Sequence, residues 1–203
     1  MKTLLRAAGA ALIFAIASGP LQAQEPPKRI RGTIERVDGN IFEVKTREGN
    51  DIKVLLKENA PVLAVVRASL SDIKPGTYIG VSGKPQPDGS QKATEIHIFP
   101  EALRGVGDGH RPWDLEPEST MTNGNIEEQV TSADGQTLTL KYKDGEKKIT
   151  LPQQTDIVAF QKAEAGDLKA GEKIFVSAAI KLPDGTFEAQ RIAFGKDGLT
   201  PPM

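Results

Sequence analysis

The chain has 203 residues, with 26 Lys and Arg against 27 Asp and Glu, and it contains no Cys. The missing Cys excludes disulfides, a thiolate metal site, a Cys nucleophile and a lipidated Cys anchor. A formal net charge of −1 lacks the basic surplus with which general nucleic-acid binders neutralise phosphate.

In chain order, the first feature is an address. Lys2 and Arg6 form a positive start, Ala7 to Ala17 run apolar or small, Ser18-Gly19-Pro20 breaks the run, and Leu21-Gln22-Ala23 offers a cleavage site. This is the layout of a secretory signal peptide over residues 1–23, since the run is too short to span a bilayer. Its removal leaves 180 residues with 24 basic and 27 acidic side chains, a formal net charge of −3. The expectation is an exported, soluble periplasmic protein with no membrane span after cleavage. Residues 24–29 (QEPPKR) read as a disordered lead-in.

The body is written twice. Gly32-Thr33-Ile34-Glu35 is answered by Gly124-Asn125-Ile126-Glu127. Asp72-Ile73-Lys74-Pro75-Gly76 is answered by Asp167-Leu168-Lys169-Ala170-Gly171, and Pro87-Asp88-Gly89 by Pro183-Asp184-Gly185. The offset drifts only from 92 to 96 residues, as small loop insertions within one shared plan produce. Phe42, Val44 and Thr46, then Ile52, Val54 and Leu56, alternate with polar residues. Leu138, Leu140 and Tyr142, then Ile149 and Leu151, do the same in the second copy. Period 2 marks strands with one wet face, and Asp-Gly or Glu-Gly between them marks hairpins. A helical turn follows at Ser69–Lys74 and Ala165–Lys169, closed by Gly76 and Gly171. Two strands complete each copy, at 78–83 and 93–99 in the first and at 173–179 and 187–194 in the second.

Three strands, a short turn and two strands per copy give an all-β expectation. It is two tandem five-stranded OB-like β-barrels, at residues 30–99 and 124–198, with a non-repeating linker at 100–123 and a tail at 199–203. The competing arrangement is one ten-stranded sandwich in which the copies share a core. Copies of about 70 residues fold alone only marginally, so they are expected to pack on each other or to be tied by the linker.

These motifs resemble a bacterial exported family classed as a domain of unknown function, with tandem OB-like repeats and a Leu-Lys-Pro-Gly turn before a Val-rich strand. Asp72-Ile73-Lys74-Pro75-Gly76 is similar to that turn, whereas the second copy has Ala170 in place of Pro. The resemblance implies a fold. It implies no substrate, cofactor or catalytic residue.

The linker holds the sole Trp, Trp113, and one of the two His, His110. Its glycines and prolines disfavour a helix or a central strand. Two readings compete. In one, the linker is a strap, with Trp113 plugging the cleft between barrels and Arg111 or Asp114 bonding nearby backbone. In the other, Arg104, His110, Arg111, Trp113 and Asp114 form a surface for a ligand or partner, because Trp and Arg anchor interfaces most often. A metal site from Asp108, His110 and Asp114 is a weaker pattern, without established ligand spacing. His97 lies between Ile96 and Ile98 and is expected on an exposed polar strand face, with Ala193 at its place in the second copy.

No P-loop, G-x-S-x-G elbow or G-x-G-x-x-G in a βα context occurs. The functional expectation is a non-catalytic periplasmic binding or adaptor protein for a protein or small ligand, without a cofactor. The alternatives are a metal-homeostasis accessory and, further off, an envelope-polymer hydrolase.

Overall fold

The computed structural model describes residues 26–132 and 135–203. The expected leader and Asp134 of the second Asp-Gly turn lie outside them. Within the described residues the protein is all-β, with no α-helix. The first segment forms β1 (Lys28–Asp38), β2 (Ile41–Thr46), β3 (Asp51–Leu56) and β4 (Val62–Arg67). A 3-10 turn at Leu70–Asp72, β5 (Tyr78–Pro85) and β6 (Gln91–Ile98) follow. The linker carries a 3-10 turn at Glu101–Leu103 and the edge strand β7 (Gly109–Pro112). The second segment forms β8 (Thr120–Ser132), β9 (Gly135–Tyr142), β10 (Gly145–Leu151) and β11 (Asp156–Ala163). It continues with a 3-10 turn at Ala165–Asp167 and β12 (Lys173–Lys181), and its last strand is split into β13 (Phe187–Ala189) and β14 (Ile192–Gly195).

Strand pairing cuts across the expected segments 30–99 and 124–198. The three N-terminal strands β1, β2 and β3 do not close with β5 and β6 of their own segment. They close with β13 and β12, through β3–β13 and β12–β1. Reciprocally, β8, β9 and β10 close with β6 and β5 of the first segment, through β10–β6 and β5–β8. Each five-strand ring therefore takes three strands from one segment and two from the other. The expectation that each segment closes its own barrel is corrected on this point. Nor do the strands merge into one sandwich core: each ring has a separate apolar cluster.

The Asp-Ile-Lys-Pro-Gly turn and its counterpart make the exchange. The Asp72 carboxylate accepts from Ser69 N at 2.8 Å and the Asp167 carboxylate from Glu164 N at 3.0 Å, closing a capping box at each turn. The next residue plugs the core of the ring it joins. Ile73 is 2% exposed in the β8–β9–β10 cluster, and Leu168 is 2% exposed in the β1–β2–β3 cluster. Gly76 and Gly171 then take φ of 85° and 93°, which a side chain would resist. In that conformation Gly76 N donates to Ile126 O at 2.8 Å, and Gly171 N donates to Ile34 O at 2.7 Å. Each bond crosses from one segment to the other.

Two strands absent from the sequence expectation form the seam. β4 and β11 run antiparallel to each other, and each lies parallel to a final strand, β14 and β6 respectively. A third apolar cluster lies here, from Leu63, Val65, Val158, Phe175, Ala193 and Met203. Leu103, Trp113 and Leu199 pack against it. The expected disordered lead-in is corrected at its end, where Lys28 and Arg29 belong to β1. The 199–203 tail buries Met203, whose main-chain oxygen accepts from Arg31 Nε at 2.7 Å.

Because Ile73 and Leu168 plug rings built on the opposite segment, truncating either should loosen the whole chain. Ile73→Ala and Leu168→Ala are each expected to cost about 2–5 kcal/mol. A single cooperative melt, shifted downward in both variants, is the expected reading. Two melts, only one of them shifted, would count against interdependent rings.

Candidate functional site

The seam holds an open-mouthed cavity of about 360 Å³, lined from both rings, the linker and the tail. Its walls are Leu63, Phe99, Phe160, Phe175, Met121, Ala193 and Met203. Its polar side chains are Arg29, Arg111, Arg191, His97, Asn123, Asp108, Ser177 and Trp113.

One wall is set by strand register. Gly80 on β5 lies between His97 on β6 and Asn123 on β8. A Cβ at Gly80 would collide with His97 Nε2 and Asn123 Oδ1, so only Gly lets both side chains fold over the strand. His97 is 5% exposed and Asn123 3% exposed. The expected exposed face for His97 is corrected: alternation does point it away from its ring's core, but the seam covers that face. His97 stacks edge-on to Phe99 at 5.1 Å and tilts on Phe160 at 5.5 Å between ring centroids. The second segment inverts the sizes, with Phe175 paired to Ala193 where the first has Gly80 paired to His97. One half of the seam is therefore apolar and the other polar.

Polar atoms of residues around the seam are unmatched. His97 Nδ1, Asn123 Oδ1, Trp113 Nε1 and Arg191 Nε are buried without a hydrogen-bond partner among the described residues. Glu95 stands behind His97 and is 1% exposed, with neither carboxyl oxygen bonded. Its Oε1 is 3.8 Å from His97 Nδ1, beyond hydrogen-bond range. Burial pushes the Glu95 carboxyl up to about 8, and burial with the Arg111 charge pushes His97 down to about 3. At neutral pH the pair is therefore a carboxylic acid beside a neutral imidazole.

The five residues expected to act together divide. Arg111 and Trp113 line the cavity. Trp113 lies edge-on to Phe175 at 6.4 Å, with the Arg29 guanidinium 4.0 Å from its ring centroid and that of Arg111 at 5.7 Å. Arg111 Nη1 donates to Gly107 O at 2.6 Å, the backbone tie expected of a strap. Asp114 supports the cavity from outside, binding Arg31 at 2.8 Å and Arg29 at 3.4 Å. Burial would raise its carboxyl, but the two arginines outweigh burial and hold it below its ordinary value. Arg104 faces elsewhere, on Glu101 at 2.6 Å, Gly76 O at 3.1 Å and Asn125. His110 is also outside the cavity, with Nδ1 2.8 Å from Thr122 Oγ1.

Asp108, His110 and Asp114 do not converge: Asp108 accepts from Lys143 N at 2.7 Å, while the other two are engaged as described. No group of three or more His, Asp or Glu that could hold a metal occurs among the described residues.

The first segment carries the family signal. Residues 31–97 match the model of a domain of unknown function (DUF5666). The match runs from β1 to His97 on β6, so the DUF5666 span contributes to both rings and ends on the cavity wall. No curated protein and no solved structure gives a significant match.

The raised Glu95 carboxyl has a pH signature. The unfolded chain ionises Glu near 4.5, whereas the folded chain keeps it protonated to about 8. The Glu95 contribution to stability is full below pH 4.5 and is lost as pH rises through 8. Gln is the neutral isostere, so Glu95→Gln should melt with the wild type at pH 4 and increasingly above it from pH 5 to 8. A melting difference that does not vary with pH would refute the buried neutral acid.

Proposed function

We propose that this is an exported, non-catalytic binding protein whose ligand or partner engages the cavity at the seam between two OB-like barrels. The observation that carries the reading is one cavity between the rings whose lining includes His97, Asn123, Trp113 and Arg191, each with a buried side-chain atom left unbonded among the described residues. Buried polar groups are nearly always paired in folded proteins, so four unpaired ones within the residues that line one concave surface set this site apart. Export rests on the leader pattern of residues 1–23, and the periplasm is its expected compartment. The tandem-repeat reading rests on the shared order of four strands, a 3-10 turn and a final strand pair in each segment.

Binding is favoured over catalysis by the state of the candidate groups. Among the described residues His97 is the one imidazole lining the cavity, and burial holds it neutral. No hydroxyl hydrogen-bonds to it among the described residues, so an activated nucleophile with its base is missing from this set. An adaptor role fits the same surface, since Trp113 and Arg29 form its rim and both side chains remain partly exposed.

Trp113 is the sole Trp, so its fluorescence reports the cavity directly. The mature chain should be mixed with fractionated small-molecule extract from the producing cells. At least one fraction is expected to change Trp113 emission and raise the melting temperature, and Arg111→Ala should weaken both effects. If no fraction changes either signal, the binding reading falls.

A further inference from the structure

The cavity carries a charge that the protein does not balance. Three arginines line it, Arg29, Arg111 and Arg191, against one carboxylate, Asp108, in a chain whose formal net charge is negative. Two of the three are engaged. Arg29 is held by Asp114 and stacked on Trp113, and Arg111 is tied to Gly107 O. Arg191 has no such partner among the described residues, and its Nε is buried and unbonded. Burial alone lowers its pKa, with no carboxylate acting against that shift. Its position has a structural cause: it sits in the break between β13 and β14, where the last strand leaves β3 and takes β4 as neighbour. The side chain is half-buried, and a charge partly withdrawn from water without a counter-ion gains from a ligand that supplies the anion.

We propose that the cavity binds a small monocarboxylate with an apolar body, Arg191 serving as its counter-ion; this rests on the binding reading above. The Arg191 side chain lines the cavity and makes no hydrogen bond to a carboxylate or carbonyl among the described residues. A carboxylate offers two acceptor oxygens to a guanidinium. The apolar body has a matching surface in Leu63, Phe160 and Phe175. A single acid group fits better than two, or than a phosphate dianion. Arg29 is already held by Asp114 and Arg111 by Gly107 O, so among the described residues only Arg191 of the three is without a partner. The volume of about 360 Å³ lies at the small end of ligand pockets.

Phenylacetate and its neutral isostere phenylacetamide separate charge from shape. Each is titrated into the mature chain, with Trp113 emission and melting temperature as readouts. Phenylacetate should bind at least about ten-fold more tightly than the amide, and Arg191→Gln should remove that advantage while leaving amide binding unchanged. Arg191→Lys, which keeps the charge, should retain part of it. Arg104→Gln, outside the cavity, should change nothing. Equal affinity for acid and amide in the wild type overturns the proposal whatever the variants do. Undiminished acid binding in a folded Arg191→Gln overturns it too. Both results leave a cavity that binds, so the broader reading survives them. Silence with both probes also overturns the carboxylate proposal, and the extract fractions then judge the broader reading separately.

Discussion

Two backbone hydrogen bonds organise this molecule: Gly76 N to Ile126 O and Gly171 N to Ile34 O. Each begins a strand that leaves its own segment and enters the other's ring. Main-chain donors and acceptors must be paired when buried, so a ring of five strands has to find its fourth and fifth members somewhere. Here it finds them across the chain. The left-handed glycines, the Asp caps before them and the core plugs Ile73 and Leu168 all serve that crossing. Once both crossings are made, neither ring is complete without the other.

The seam follows from the exchange. A segment whose strands are divided between two rings needs connectors, and β4 and β11 are those connectors. They pair with each other and with β14 and β6, so the linkage is itself a sheet. The outward faces of the final strands then turn toward a common space. Cross-strand partners that would be wet on a lone barrel become cavity wall. The two sides of this space differ because large and small side chains are interchanged. Gly80 with His97 gives a polar wall, and Phe175 with Ala193 an apolar one. Trp113 and Met203 line this space and Leu103 packs beside them, all drawn from the two stretches with no counterpart in the duplicated plan.

Much of the local structure was legible in the residues. Alternation placed β2, β3, β9 and β10, and the Asp-Ile-Lys-Pro-Gly pattern located the turn and its closing glycine. β4 was not legible because Val62-Leu63-Ala64-Val65-Val66 is continuously apolar. Such a run marks a strand covered on both faces and has no period to detect. β11 was missed with it. Ring membership was hidden for a different reason. Two similar segments carry similar edges, so closing at home and closing across satisfy the same pattern of residues. His97 shows the limit at the site itself. Its strand face was read correctly, but what covers that face is a tertiary fact. Glu95 and Arg191 had no local signal, and only the seam makes them unusual. Trp113 and Arg111 were found by composition, since a lone Trp and nearby Arg in a non-repeating stretch favour a buried anchor. Arg104 and His110 shared that composition but point elsewhere.

The exchange can be tested with disulfides, because the chain has no Cys of its own. Thr33 on β1 stands opposite Lys173 on β12. If each segment closed on itself, Tyr78, the position matching Lys173, would stand there instead. Cross-strand neighbours are close enough for a disulfide. Under mild oxidation, the monomeric Thr33→Cys/Lys173→Cys chain should form an intrachain disulfide, and Thr33→Cys/Tyr78→Cys should not. The reverse outcome, with the Thr33–Tyr78 pair closing and the Thr33–Lys173 pair staying open, would contradict the exchanged architecture and remove the seam that shapes the cavity.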